Sequence, residues 1–273
     1  MSKTMPDVDR LVALQDLLFT RAKRWDRGLL LALFATLVVS LASLFAADER
    51  WAISLAVSSA ILAFVAFGFL LQGKKERASA EKARRATVLV GGLGKTLSGD
   101  EILILQALAN ATDAELEKHR NKDYFRTKEP AGPKRAAEMA LENAFWSFNL
   151  YRAARSVMWL STLVITALVA VWLLFALGVL PGAHPRQVMV LSAIASSLVL
   201  LELLARTIQY GTAGAQAEEL YRRLLRIRDA SCPENDLIMA LMDYNSTVES
   251  APMIPSWVYR WKWKGIDDLY KRT

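Results

Sequence analysis

Four long stretches of the chain carry almost no charge, and nothing else in the sequence limits the fold as strongly. Gly28 to Ala47 and Trp51 to Gly73 are uncharged, as is Ser156 to Leu180. A fourth run, from Gln187 to Ala205, is interrupted only by Glu202. A helix rises about 1.5 Å per residue, so roughly 20 such residues match a hydrocarbon core of about 30 Å. A buried helix of a soluble protein normally keeps a polar stripe. The first three runs have no charge on any side, and transmembrane helices are the reading they favour. The composition agrees, with 53% apolar residues and a mean hydropathy of +0.22.

The distribution of cations predicts orientation. Residues 1–27 hold six Lys and Arg, residues 74–155 hold sixteen, and residues 206–273 hold ten. The two short links hold Arg50 and Arg186. The positive-inside rule then places both termini and the middle segment in the cytoplasm. The net charge of +7 is therefore first a topology signal and only second a hint of nucleic acid. Ala46-Ala47 resembles the end of a signal peptide. However, 27 residues precede the first run and a second follows almost at once, so an uncleaved hairpin is expected.

The expected fold is an all-α membrane protein with five parts. Residues 1–27 form a cytoplasmic amphipathic helix, 28–73 and 156–205 two transmembrane hairpins, 74–155 a cytoplasmic helical insert, and 206–273 a cytoplasmic C-terminal helical region. Val8, Leu11, Leu14, Leu18, Ala22 and Trp25 recur at helical spacing. That face either lies on the membrane or packs on the other cytoplasmic helices. Lys75 to Ala86 continues the second span, and a helix from about Lys134 runs into the third. Ser98 or Asp100 is placed to cap a helix through Leu103, Leu105 and Leu108, and Ser231-x-x-Glu234 reads as a capping box. Pro252 and Pro255 end the helix that follows.

Several motifs bear on chemistry. Gly91-Gly92-Leu93-Gly94-Lys95-Thr96 suggests a phosphate loop, but the glycine required five positions before Gly94, with four residues between, is replaced by Leu89. A turn is the simpler expectation. Glu202 is the only ionisable residue inside a run and stands four residues before Arg206, the spacing of a helical ion pair. Ser192, Ala195, Ser196, Val199, Glu202 and Arg206 share a helix face. Two readings stand for it: a pore lining with a carboxylate at its inner mouth, or a charge that pairs at the interface. Ala52, Ala56, Ala60 and Ala63, with Thr162, Thr166 and Ala170, form small-residue stripes suited to helix packing in lipid, within or between subunits. Trp257, Tyr259, Trp261 and Trp263 alternate with Arg260, Lys262 and Lys264. They suit a bilayer interface, a packed helix with Trp257 and Trp261 inward, or nucleobase stacking. One cysteine, Cys232, excludes an internal disulfide, and two histidines, His119 and His184, support neither a zinc site nor a catalytic triad. No enzyme, cofactor or metal is expected.

The layout carries a resemblance. Leu11-Val12-Ala13-Leu14-Gln15-Asp16-Leu17-Leu18-Phe19 and Arg21-Ala22-Lys23 precede two spans. Glu142-Asn143-Ala144-Phe145-Trp146 precedes two more, and Ile254-Pro255-Ser256-Trp257-Val258-Tyr259 lies near the end. This resembles the bacterial four-transmembrane effectors associated with second-messenger oligonucleotide synthetases, pore formers in anti-phage defence. The resemblance implies a homo-oligomer in the inner membrane, gated by a nucleotide from a partner nucleotidyltransferase. A non-conducting membrane scaffold that recruits a cytoplasmic partner is the alternative. No functional residue is carried over from the family.

Overall fold

The computed structural model describes residues 8–43, 45–46, 48–121, 124–179 and 186–272, without the side chains of 172–189 and 191. Lys3, Ala47, Pro181, Gly182 and His184 lie outside the described residues. The described residues are predominantly helical and include no strand. Its elements are α1 (Val8–Ser43), α2 (Glu49–Thr87), a π-helical turn (Val88–Gly92), α3 (Gly99–Ala109), α4 (Asp113–Lys118), α5 (Pro133–Val179), α6 (Arg186–Asp229), α7 (Glu234–Ser250) and α8 (Ser256–Tyr270). Helices α1, α2, α5 and α6 are each long and apolar enough to cross a membrane.

The chain divides into two compact units. The span unit comprises Arg24–Gln72 and Ala153–Gln209. Its side chains are distributed in the reverse of a soluble bundle. Phe34, Ile61, Phe64, Leu71, Leu160 and Leu198 are exposed, whereas Thr36, Ser40, Ser43, Ser59, Thr162, Ser192, Ser196 and Thr207 are buried. Water would impose the opposite order. A hydrocarbon solvent accepts the apolar side chains and leaves the hydroxyls to find partners inside. The four helices therefore read as the spans of a multi-pass membrane protein. Gly28 lets α1 approach α2 closely: a Cβ there would sit 3.0 Å from the Phe69 ring, which also packs on Trp25.

The charged unit comprises residues 1–23, 73–152 and 210–273. Its cores follow ordinary soluble logic. Leu11, Leu14 and Leu18 of α1 are buried against Ala80, Ala83 and Ala86 of α2 and Leu105 and Ala109 of α3. Of the two sequence readings for the N-terminal amphipathic face, packing on other helices is the one observed. A second core joins α5, α6 and α7 through Ala140, Ala144, Leu220, Leu224, Leu237 and Tyr244. A third brings Phe145 and Leu150 onto Ile266 of α8.

Local chemistry sets the ends of these helices. Of the two expected caps, Ser98 is the one that caps α3, in a reciprocal box with Glu101, and Thr112 with Glu115 does the same for α4. The expected box at Ser231 does not form. Ser231 and Cys232 both adopt left-handed backbone conformations, and the Cys232 N–H donates to the Ile227 carbonyl. That closes the C-terminus of α6, so Pro233 is left as the N-cap of α7 without a side-chain bond.

Candidate functional site: a polar seam in the span unit and a cavity in the charged unit

In the span unit, the face of α6 marked by sequence packs inward. Ser192, Ala195, Ser196, Val199 and Arg206 are all buried. Ser40 of α1 donates to the Ser192 carbonyl at 2.8 Å and meets the Ser196 hydroxyl at 3.1 Å. Ser43 meets the Ser192 hydroxyl at 2.6 Å. Thr162 of α5 and Thr207 of α6 each donate to a carbonyl one turn earlier in their own helix. The sequence identified the α6 half of this seam. It did not identify Ser40 and Ser43, because no local spacing shows which helix will face Ser192.

An ionic cluster lies on the same helix. Arg206 donates from Nε to Glu202 at 2.9 Å, the pair expected from the spacing, and from Nη2 to Asp26 of α1 at 2.8 Å. Arg206 is nearly inaccessible, and the Asp26 side chain is well covered, while that of Glu202 is 29% exposed. The guanidinium thus bridges two helices and holds the more buried carboxylate on the partner that sequence reasoning missed. The only sequence sign was one acid, Asp26, set among Arg24 and Arg27 just before the first run.

The small-residue stripes drift with the helix. Ala52 and Ala56 are fully buried and Ala63 partly so, but Ala60 is exposed; Ser59 and Ala66 complete the packed face. At 3.6 residues per turn, position 59 lies about 20° from 52 and position 60 about 80°. On α5, Thr162 and Val169 are buried while Thr166 and Ala170 are exposed, seven-residue steps again marking the covered side.

The charged unit contains two clusters that the sequence did not single out. In the first, Glu81 is buried between Arg77 at 3.7 Å and Arg84 at 2.7 Å. Arg77 also donates to the carbonyls of Val248 and Ala251, and Arg84 donates to Asn245 at 3.0 Å and stacks over Tyr244. This cluster ties α2 to the end of α7. The second lines a cavity of about 340 Å³ formed by Arg126, Glu138, Glu142, Tyr221, Arg228 and Tyr270, among others. Arg126 lies 3.6 Å from Glu142, pairs with Asp267 and stacks over Tyr270 at 5.0 Å. Burial raises the Glu142 carboxyl and lifts the Tyr270 phenol to about 12. The hydrogen bond from Lys271, aided by Arg126, holds Asp267 below the ordinary carboxylate range. Two guanidiniums, two carboxylates and two phenol rings around one cavity suit a planar, polar ligand with an anionic group.

The Gly-Gly-Leu-Gly-Lys-Thr segment is a helix terminus. A Cβ on Gly91 would lie 2.9 Å from Val8, and one on Gly92 would lie 3.1 Å from Ala136. Gly94 has φ +68°, and the Lys95 N–H returns to the Leu89 carbonyl. These glycines serve close packing and chain reversal. Lys95 is exposed and pairs with Glu234 at 3.4 Å. His119 lies 2.6 Å from Asp16, and the described residues include no acid, histidine and cysteine cluster suited to a metal.

Helix α8 turns Val258, Ile266 and Asp267 inward. Trp257, Tyr259, Trp261 and Trp263 are all exposed, with Arg260 and Lys264 also at the surface. The reading that placed Trp257 and Trp261 in the core is therefore corrected. The buried stripe starts at Val258, and residues 257 and 261 lie about 100° and 60° from it on the outward side. Lys262 is partly covered, its ammonium 3.9 Å from the centre of the Trp261 ring. No family model matches the chain, and no curated protein or solved structure matches it.

Proposed function

We propose that the chain is an oligomeric membrane effector that forms a nucleotide-gated pore or ion channel in the bacterial inner membrane. By depolarising the cell it would act in anti-phage defence. The observation that carries this reading is the polar interior of the span unit: Ser40, Ser43, Ser192 and Ser196 with the Asp26–Arg206–Glu202 bridge. Glu202 lies inside an apolar run, and an ionisable group there is costly and commonly marks a water or ion path. The seam hydroxyls bond to one another, which supports reading this conformation as a resting state. The cavity at Arg126 and Tyr270 is the proposed receptor for a nucleotide made by a partner nucleotidyltransferase. Its rings offer stacking, its guanidiniums meet phosphate, and its carboxylates accept base N–H groups. A ligand opens such a path only by binding the open state more tightly than the closed one.

Flux measurements in proteoliposomes test this. Addition of cyclic di- and trinucleotides is expected to release trapped potassium. Ser196→Leu, which fills the seam, and Glu202→Gln are expected to change the rate. A flux indifferent to both substitutions removes the seam from the path, and the absence of any flux removes the pore. One observation favours a second reading, a non-conducting scaffold: the seam hydroxyls satisfy one another within a single chain. A cytoplasmic protein captured by the full-length chain, with no flux, would establish that alternative.

A further inference from the structure

We propose that the outward face of α8 docks on the anionic headgroup surface of the bilayer. The helix has two distinct sides. Val258, Ile266 and Asp267 are covered by the rest of the charged unit, and Trp146 packs against Tyr259. The other side presents Trp257, Arg260, Trp261 and Lys264 in its first two and a half turns. Trp257 is 47% exposed and Trp261 62%. Large exposed rings clustered on one helix face normally mark a contact surface. Indole with adjoining Arg and Lys is the combination that settles at the level of headgroups: the ring is amphipathic and the cations meet lipid phosphate.

The chain's own four apolar spans, together with the basic charge of this face, select a bilayer over other anionic partners. The segment leading into the helix is held at Ala251 by Arg77 and at Met253 by Tyr210, whose hydroxyl donates to the Met253 carbonyl. The aromatic and basic residues fill the N-terminal end of α8, next to those anchors. The acids Asp267 and Asp268 fall at the other end, where they would not oppose a negative surface.

Spin labelling of the full-length chain in lipid nanodiscs provides the test. With Cys232 replaced by Ser, a nitroxide is attached at Trp261→Cys or, as a control, at Met242→Cys on the exposed side of α7. Accessibility to oxygen and to a nickel chelate is then compared in phosphatidylcholine alone and with about one third phosphatidylglycerol, the anionic fraction that sets the surface charge. The label at 261 is expected to gain oxygen and lose chelate accessibility only in the anionic discs, while the label at 242 stays aqueous in both. Paired Arg260→Gln and Lys264→Gln changes should lower the bound-to-free ratio of this face roughly thirtyfold, about fivefold per cation. Arg260→Lys with Lys264→Arg should restore it. A label at 261 that matches 242 in every disc overturns the proposal. So does equal insertion without anionic lipid, or a label that responds only to added oligonucleotide. None of these readouts involves conduction, so their failure leaves the proposed pore to its own test.

Discussion

Arg206 illustrates how much of a site one residue can reveal. Its pairing with Glu202 is visible in the sequence because four residues make slightly more than one helical turn. Its bond to Asp26 is not, because that partner lies 180 positions away. Asp26→Asn is expected to lower stability by about 1.5–3 kcal/mol, the range for a hydrogen bond to a charged group. Glu202→Gln should cost less, since that carboxylate retains more solvent. Thermal unfolding in detergent compares the two, and the reverse order would mean that Asp26 is not the main partner. Gly92 makes a second case. Gly92→Ala forces a methyl against Ala136 and should destabilise by about 1–3 kcal/mol through overpacking. Gly99→Ala, in open space, gives the control that should leave the melting temperature unchanged. Asp267 adds a pH dependence. Its folded pKa is depressed, so its contribution is present above the unfolded carboxylate value and lost as pH falls through the lower folded value. Asp267→Asn is therefore expected to lower the melting temperature at pH 7 and to lessen its decline on acidification below about pH 4.

Elements were legible wherever a period or a cap was local. The four apolar helices follow from the uncharged runs, and α3 begins where Ser98 and Glu101 allow a reciprocal box. The expectation at Ser231 failed for a local reason of another kind. The end of α6 uses that residue in a left-handed turn before α7 begins, and a spacing of three cannot show which helix will claim a serine. Within one chain, the alanine stripe of α2 leaves the covered face at Ala60, since a four-residue step overshoots a turn by about 40° and the offset doubles at the second step. Ala56→Leu is therefore expected to disrupt the span unit, and Ala60→Leu to be tolerated. Size-exclusion profiles and melting curves of the two variants in detergent distinguish them. Equal damage would place residue 60 in a contact between subunits.

For the whole molecule, the chain sorts its side chains by two solvents. The span unit exposes Phe64 and Leu160 and buries serines, while the charged unit buries leucines and exposes lysines. This contrast predicts a topology in which cysteines introduced at Arg50 and at Arg226 label from opposite sides of sealed vesicles. An impermeant maleimide added before and after lysis makes the comparison. Labelling from the same side would be incompatible with the proposed hairpins.

The sequence by itself determined the helical class, the number of spans and the half of the polar seam that lies on α6. Each of these is written in a run length, a period or a spacing along one helix, and lipid or water enforces it without reference to distant residues. Tertiary structure alone decided that Ser40 and Ser43 meet Ser192 and Ser196, and that Asp26 holds Arg206. It also decided that Arg126 and Tyr270 share a cavity and that the tryptophans of α8 turn outward. These depend on which helix faces come together. Such pairings are selected by the packing of many side chains at once, and no single stretch of the chain encodes them.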